Sequence, residues 1–321
     1  MDYSNRVNID QPKWDQSQYI GRAKHFFNTT NPLNIFATPE QLDRAKEIVT
    51  KYRSGQSLPD GTSMDDVWTA KHLYDSAFHP DTGEKMFVLG RMSAQVPCNM
   101  MINAGMMTFY KTNMGVIFWQ WINQSFNALV NYTNRSGDSE ISVNEVGMSY
   151  LLATTGALVT ALTLNKQVKN APPLIGRLVP FTAVAAANCI NIPFMRRKEL
   201  TDGVPVVDAN NNRIGLSKVA AKEGIAQVVF SRVMMAVPPL VIPPIIMNTL
   251  EKRGIFARYP KLPGPMNLVL CGFILTFATP MCCAIFSQRA AIPLSRLEDS
   301  LQEAAKKLDP NTTTAYYNKG L

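Results

Sequence analysis

The sequence predicts an all-α protein: a multi-spanning helical membrane bundle of about five transmembrane helices behind a soluble N-terminal helical region. Three observations carry this expectation. The first 85 residues are polar and charged while the long apolar runs lie between about Met86 and Ser287, so a mean hydropathy near zero averages two unlike parts. Five of those runs reach the roughly 20 mostly apolar residues that a bilayer crossing needs. Both polar flanks carry helix start signals followed by apolar residues at helical spacing. The expected divisions are 1–86 for the N-terminal region, 87–288 for the bundle and 289–321 for an amphipathic C-terminal tail.

In the N-terminal region, Thr38-Pro39-Glu40-Gln41 has the form of a capping box with proline at the first helical position. Leu42, Ala45, Val49 and Tyr52 then fall on one face. Ser63 and Asp66 repeat the device ahead of Val67, Ala70, Tyr74 and Ala77. Both helices are amphipathic and too short for a membrane. Ser54-Gly55 and Pro59-Asp60-Gly61 punctuate the chain between them. The string His79-Pro80-Asp81-Thr82-Gly83-Glu84-Lys85 reads as a solvated turn; its one histidine has no second at ligand spacing, so no metal site is expected.

The candidate spans are residues 90–109, 146–164, 174–195, 225–249 and 266–287. The stretch 115–134 is different. Gln120, Asn123, Gln124, Asn127 and Asn131 recur there at helical spacing while Ile117, Phe118, Trp121 and Leu129 cover much of the remainder, so it either lies in the membrane interface or faces a wet cavity. After the last span, Ser295 and Glu298 form another capping-box motif, and Leu297, Leu301, Ala304 and Leu308 make the stripe of a tail helix. Lys166 and Lys169, and Lys252, Arg253, Arg258 and Lys261 against Glu251, lie in loops that share one side if there are five spans. The positive-inside rule places that side and the N-terminal region on the cytoplasm-like face, with Arg196, Arg197 and Lys198 pulling the other way.

Composition narrows the function classes. The net charge of +8 is spread along the chain with no zinc-finger or RNP-like string, which argues against a nucleic-acid partner. Cys98, Cys189, Cys271, Cys282 and Cys283 all fall in apolar segments without C-x-x-C spacing, as packing residues do. No P-loop, G-x-G-x-x-G or G-x-S-x-G motif is present, and His25, His72 and His79 all sit in the polar front end, so neither an enzyme nor a cofactor is expected. The N-terminus has no apolar core for a signal peptide, and its early acids argue against a cleaved presequence.

Polar groups inside the apolar runs point to a site. Gln95, Asn99 and Asn103 are spaced by four, and Asn188 and Asn191 by three, so each set shares a helix face. Amides in hydrocarbon cost kilocalories unless paired, so these faces should turn toward one another or toward water. Interhelical hydrogen bonding explains any one stripe, but three such stripes in a small bundle favour a polar pocket. Arg232, about a third of the way into the run 225–249, is the better of two intramembrane arginines; Arg177, near the start of its run, can snorkel. Pro238, Pro239, Pro243 and Pro244 should break that helix, and Pro180 and Pro193 loosen the run 174–195; Pro193 and the four prolines are the candidate gating residues. A tricarboxylate would need several cations, whereas amides with one arginine suit a small zwitterion.

The strings NIDQPKWDQSQYIGRAKHFF, FHPDTGEKM, NCINIPFMRRKEL and AYYNKGL closely resemble the sideroflexins, over essentially the whole chain and in order. The family's Asn-Cys-Ile-Asn-Ile-Pro string matches Asn188 to Pro193, and its His-Pro-Asp-Thr-Gly matches His79 to Gly83. The resemblance implies a multi-pass protein of the mitochondrial inner membrane, in contact with its lipid and without a cleaved presequence. It further implies a carrier of serine, with alanine and cysteine as further substrates, for one-carbon metabolism. A tricarboxylate (citrate) carrier and a non-transporting scaffold remain alternatives. The family supplies no binding residues, so Gln95, Asn99, Asn103, Asn188, Asn191 and Arg232 rest on the polar stripes alone.

Overall fold

The computed structural model describes residues 7–59, 61–79, 82–134, 143–167 and 172–320. Asp60, Pro80, Asp81 and Lys169, which figured in the turn and loop readings, lie outside the described residues.

The front of the chain forms α1 (Tyr19–Thr29), α2 (Pro39–Arg53) and α3 (Met64–Ala77). Both expected capping boxes are made, with reciprocal bonds between Thr38 and Gln41 and between Ser63 and Asp66. Leu42, Ala45, Val49 and Tyr52 turn inward, the last three against Val67 and Ala70 of α3 among others and Leu42 against Ala77 and Phe78. The turn after α3 is exposed at Thr82, Glu84 and Lys85, as expected, but its histidine is not. His79 is 8% exposed, its Nδ1 accepts from the Thr82 N–H at 3.3 Å, and Phe78 bridges Lys85.

Six helices then close a ring in which each packs on the next. They are α4 (Gln95–Thr108), α5 (Asn113–Thr133), α6 (Val143–Gln167), α7 (Pro173–Met195), α9 (Lys218–Lys252) and α11 (Pro263–Cys283), and α11 returns to α4. Short α8 (Arg197–Asp202) and α10 (Ile255–Arg258) lie between ring members. Among the described residues, four segments are long and apolar enough to cross a membrane: Gly147–Gln167, Leu174–Met195, Lys218–Lys252 and Pro263–Cys283.

The expected span at 90–109 is corrected. Only 14 residues of it are α-helical, about 21 Å at 1.5 Å per residue and short of a hydrocarbon core of roughly 30 Å. The cause is local: Arg91 is buried and donates to the Met86 carbonyl at 3.1 Å, and the chain around it makes two 3₁₀ turns before α4 begins. Gly105 lets α4 lie against α5, since a Cβ there would stand 2.3 Å from the Trp119 ring.

The expected break in α9 is also corrected: the helix continues over 35 residues through all four prolines. Each proline removes one intrahelical donor, yet Pro239, Pro243 and Pro244 are packed with essentially no exposure.

The chain is not purely helical. β1 (Val204–Val207), β2 (Arg213–Ser217), β3 (Arg289–Pro293) and β4 (Thr314–Asn318) form an antiparallel sheet in the order β2-β1-β4-β3. The tail therefore pairs with the segment before α9. Val206, Ile292, Ala315 and Tyr317 alternate inward onto Leu297 and Leu301. The tail helix α12 (Asp299–Leu308) buries Leu301 as expected, but then Ala305 in place of the expected Ala304 and Leu308; Leu308 is 53% exposed. Its capping box does not form either, because Glu298 is used elsewhere: its carboxylate accepts from the N–H groups of Lys218 and Val219 at 2.8 and 3.2 Å and from Ser217 Oγ at 2.8 Å.

Both flanks gather at one end of the ring. Tyr19 Oη donates to the Met281 carbonyl and Arg22 to that of Ala284, tying α1 to the C-terminal end of α11. At the opposite end Asn165 reaches the Tyr110 carbonyl and Arg177 pairs with Glu251. The basic loop around Lys252 and Arg253 therefore lies away from the N-terminal region, not beside it. Six ring helices, an even number, separate the flanks, and Arg196, Arg197 and Lys198 stand at the flanks' end.

Candidate functional site

α5 settles into the ring with its polar face inward. Gln120, Asn123 and Gln124 are only 2–3% exposed, whereas Phe118 and Trp121 are almost half exposed on the outside. This inversion of the soluble-protein pattern suits a lipid-facing exterior and places a row of amides toward the ring's middle.

Two chambers occupy that middle. The larger encloses about 510 Å³ of free space, part of it open, and its polar wall comes from Gln95, Asn99 and Asn103 of α4, Asn123 and Asn127 of α5, Asn188 of α7 and Arg232 of α9. Val184, Leu240 and Leu275 supply apolar wall. A second chamber of about 430 Å³ adjoins it on the flanks' side, sharing Gln95, Arg232, Met235 and Thr279.

The expected site residues divide. Gln95, Asn99, Asn103, Asn188 and Arg232 come together in the larger chamber. Asn191 is 6% exposed and lies outside it, with its Oδ1 unpartnered. Of the prolines, Pro239 lines the chamber, while Pro193, Pro238, Pro243 and Pro244 do not. Asn123, Asn127 and Thr279 complete the wall; the helical spacing of amides in 115–134 signalled the first two. Lys319, in the wall of the second chamber, had no sequence signal, because only the sheet brings the C-terminus there.

Two features of the chamber's polar groups bear on its chemistry. Asn99 is partly satisfied within its own helix, donating to the Gln95 carbonyl at 2.8 Å and to Gln95 Oε1 at 3.0 Å. In contrast, Asn123 Nδ2 is buried without a partner, and Gln120 Oε1 and Gln124 Nε2 beside it are in the same condition. Among the described residues Arg232 makes no ion pair or hydrogen bond. Arg177, by comparison, is neutralised by Glu251. The arrangement thus offers amide donors and acceptors and one free guanidinium, a set able to hold a small molecule bearing a carboxylate and further polar groups. Among the described residues no group of three or more His, Cys, Asp or Glu side chains is placed to hold a metal ion.

A ring of helices with four membrane-length apolar members around an amide-lined, arginine-bearing cavity defines a multi-pass membrane protein with a polar interior chamber. The chain belongs to the sideroflexin family, whose profile matches residues 8–321. It is 56% identical over 316 residues to Sideroflexin-1-3 of Drosophila melanogaster, and 57% identical over 315 residues to Sideroflexin-1 of Rattus norvegicus and of Homo sapiens, covering 98% of each chain in every case. No solved structure matches.

Proposed function

We propose that the chain is an amino-acid transporter of the mitochondrial inner membrane that carries serine, with alanine and cysteine as further substrates, into the matrix. The observation that carries this proposal is the unpaired Arg232 in a chamber otherwise walled by neutral amides. One cation and several amides match one carboxylate and the ammonium and hydroxyl of serine; they do not match the three carboxylates of citrate. Family membership supports the membrane and organelle. The scaffold alternative fares less well, because amides serving only to lock helices together should be bonded across them, whereas Gln120, Asn123, Gln124 and Asn191 each keep a buried atom without a protein partner.

Uptake of labelled serine into proteoliposomes containing the purified chain tests the proposal, with citrate as competitor. Saturable uptake that resists citrate is expected. A net hydrogen bond contributes roughly 0.5–1.5 kcal/mol, so Asn103→Ala and Asn188→Ala should each raise KM roughly two- to tenfold. Vesicles that take up no more serine than empty ones would sink the transporter assignment.

A further inference from the structure

The second chamber carries a charge that the first does not explain. Lys319 is 2% exposed, yet its ammonium has no hydrogen-bond or carboxylate partner among the described residues. Its backbone is fixed on both sides: its N–H donates to the Gln288 carbonyl at 2.9 Å and its carbonyl accepts from Arg196 Nη1 at 2.8 Å. Gly320 follows at φ +79°, where a Cβ would meet that same Nη1 at 3.1 Å. The strand β4 and its neighbours therefore deliver the lysine into the ring; among the described residues no acid draws it there.

Among the described residues its surroundings add no counter-charge. Arg232 stands in the same wall without a partner, and Ser231 Oγ, also in the wall, is buried and unbonded. Among the described residues no carboxylate lines the chamber. Glu199 is taken by Arg196, and Glu223 by Arg296. The rest of the lining is Met92, Val228, Met235 and neutral polar groups. Two cations in one poorly hydrated space repel each other and each loses solvation, and an anion placed between them relieves both penalties. Apolar walls with a few convergent polar groups are the usual make-up of a small-ligand site.

We propose that this chamber is a carboxylate-binding antechamber in which Lys319 and Arg232 hold a small carboxylate. Arg232, common to both chambers, then passes an amino acid's carboxylate between the antechamber and the amide-lined chamber. The hand-over rests on the transporter reading; the binding does not.

Thermal unfolding of the purified full chain in a neutral detergent, at constant ionic strength, tests the binding with acetate as the probe. A saturable rise in Tm is expected, unchanged in Arg177→Ala at the remote end of the ring, weakened at least tenfold in apparent Kd by Lys319→Met and restored by Lys319→Arg. An acetate response equal in wild type and Lys319→Met would overturn the proposal, as would no response in wild type or a Lys319-dependent response to inorganic phosphate alone. Should Lys319→Met fail to fold, Arg232→Met takes its place with the same expected loss, and an undiminished response there overturns the proposal equally. Acetate binding without serine uptake in vesicles would leave the antechamber standing and remove the transporter; uptake without Lys319-dependent binding would do the reverse.

Discussion

The thiol of Cys271 on α11 points at the carbonyl oxygen of Pro239 on α9, Sγ to O 3.8 Å, at a depth where Cys271 has no exposure at all. Pro243 is the reason that carbonyl is available. Four residues on, where a helix supplies an N–H, proline has none. The same logic frees the carbonyls of Met234, Met235 and Leu240, and Met235, Pro239 and Leu240 all line the amide chamber. The prolines thus leave α9 helical but poor in internal bonds along the wall that faces the cavity. Pro243→Ala returns the N–H to Pro239 and should stiffen the helix. Under the transport proposal kcat for serine uptake then falls several-fold while KM stays within about twofold. An unchanged kcat in a correctly inserted variant would remove α9 flexing from the mechanism.

Arg232 and Arg177 make a matched pair for testing the substrate contact. Both lie in apolar helices, but Arg177 is neutralised by Glu251 at the end of the ring remote from the sheet, and Arg232 faces two cavities unpaired. A hydrogen bond to a charged group contributes roughly 1.5–3 kcal/mol, so Arg232→Ala should raise KM for serine roughly ten- to hundredfold. Arg177→Ala should leave KM within about twofold. Equal effects of the two substitutions on KM would show that the assignment of the carboxylate to Arg232 is wrong.

What the sequence disclosed follows from the range of the physics involved. The capping boxes of α2 and α3 and the inward face of α2 were legible because the signals lie within a few residues of one another. The amide stripes were legible for the same reason, and Gln95, Asn99, Asn103 and Asn188 of those stripes line one cavity. The span at 90–109 was misread because hydropathy averaging cannot see that Arg91 folds back onto Met86. The sheet escaped because its partners, 204–217 and 289–318, are separated by two membrane helices. With the sheet went Lys319, which no local pattern could place inside the ring.

Glu298 shows the same long reach in a stability term. It sits beside the first turn of α9, some 80 residues earlier, where a carboxylate complements the unpaired N–H groups and the positive end of the helix dipole. Burial alone would raise its carboxyl, but hydrogen bonds, among them those from Ser217, Val219 and Lys218, hold it below the usual carboxylate range. A depressed folded-state pKa means stability that is present above the unfolded value and is lost as pH falls through the folded one. Removing a capping side chain costs about 1 kcal/mol. Glu298→Ala should therefore destabilise the junction of sheet and α9 by about that amount at neutral pH, and by less in acid, read as hydrogen-exchange protection of Lys218 and Val219. Protection unaltered by the substitution would show that Ser217 alone suffices as the cap.

Lys319 gives the last prediction its sign. Burial lowers its ammonium pKa to about 8; the Cys283 thiol opposes this, and Arg232, Arg196 and Arg22 add to it. These are the charged and titratable groups that face it, from α11, α9, the turn before α8, and α1. The folded protein thus releases this proton near pH 8 while the unfolded chain keeps it to about 10.4. Stability without ligand should decline as pH falls from about 10 toward 8, since the unfolded state binds the proton first. Carboxylate binding runs the opposite way, because the anion needs the charged ammonium. Apparent affinity for acetate should drop as pH rises from 7 to 9, and Lys319→Arg, whose guanidinium stays charged throughout, should flatten that profile. A profile with the same slope in wild type and Lys319→Arg would assign the titration to another group.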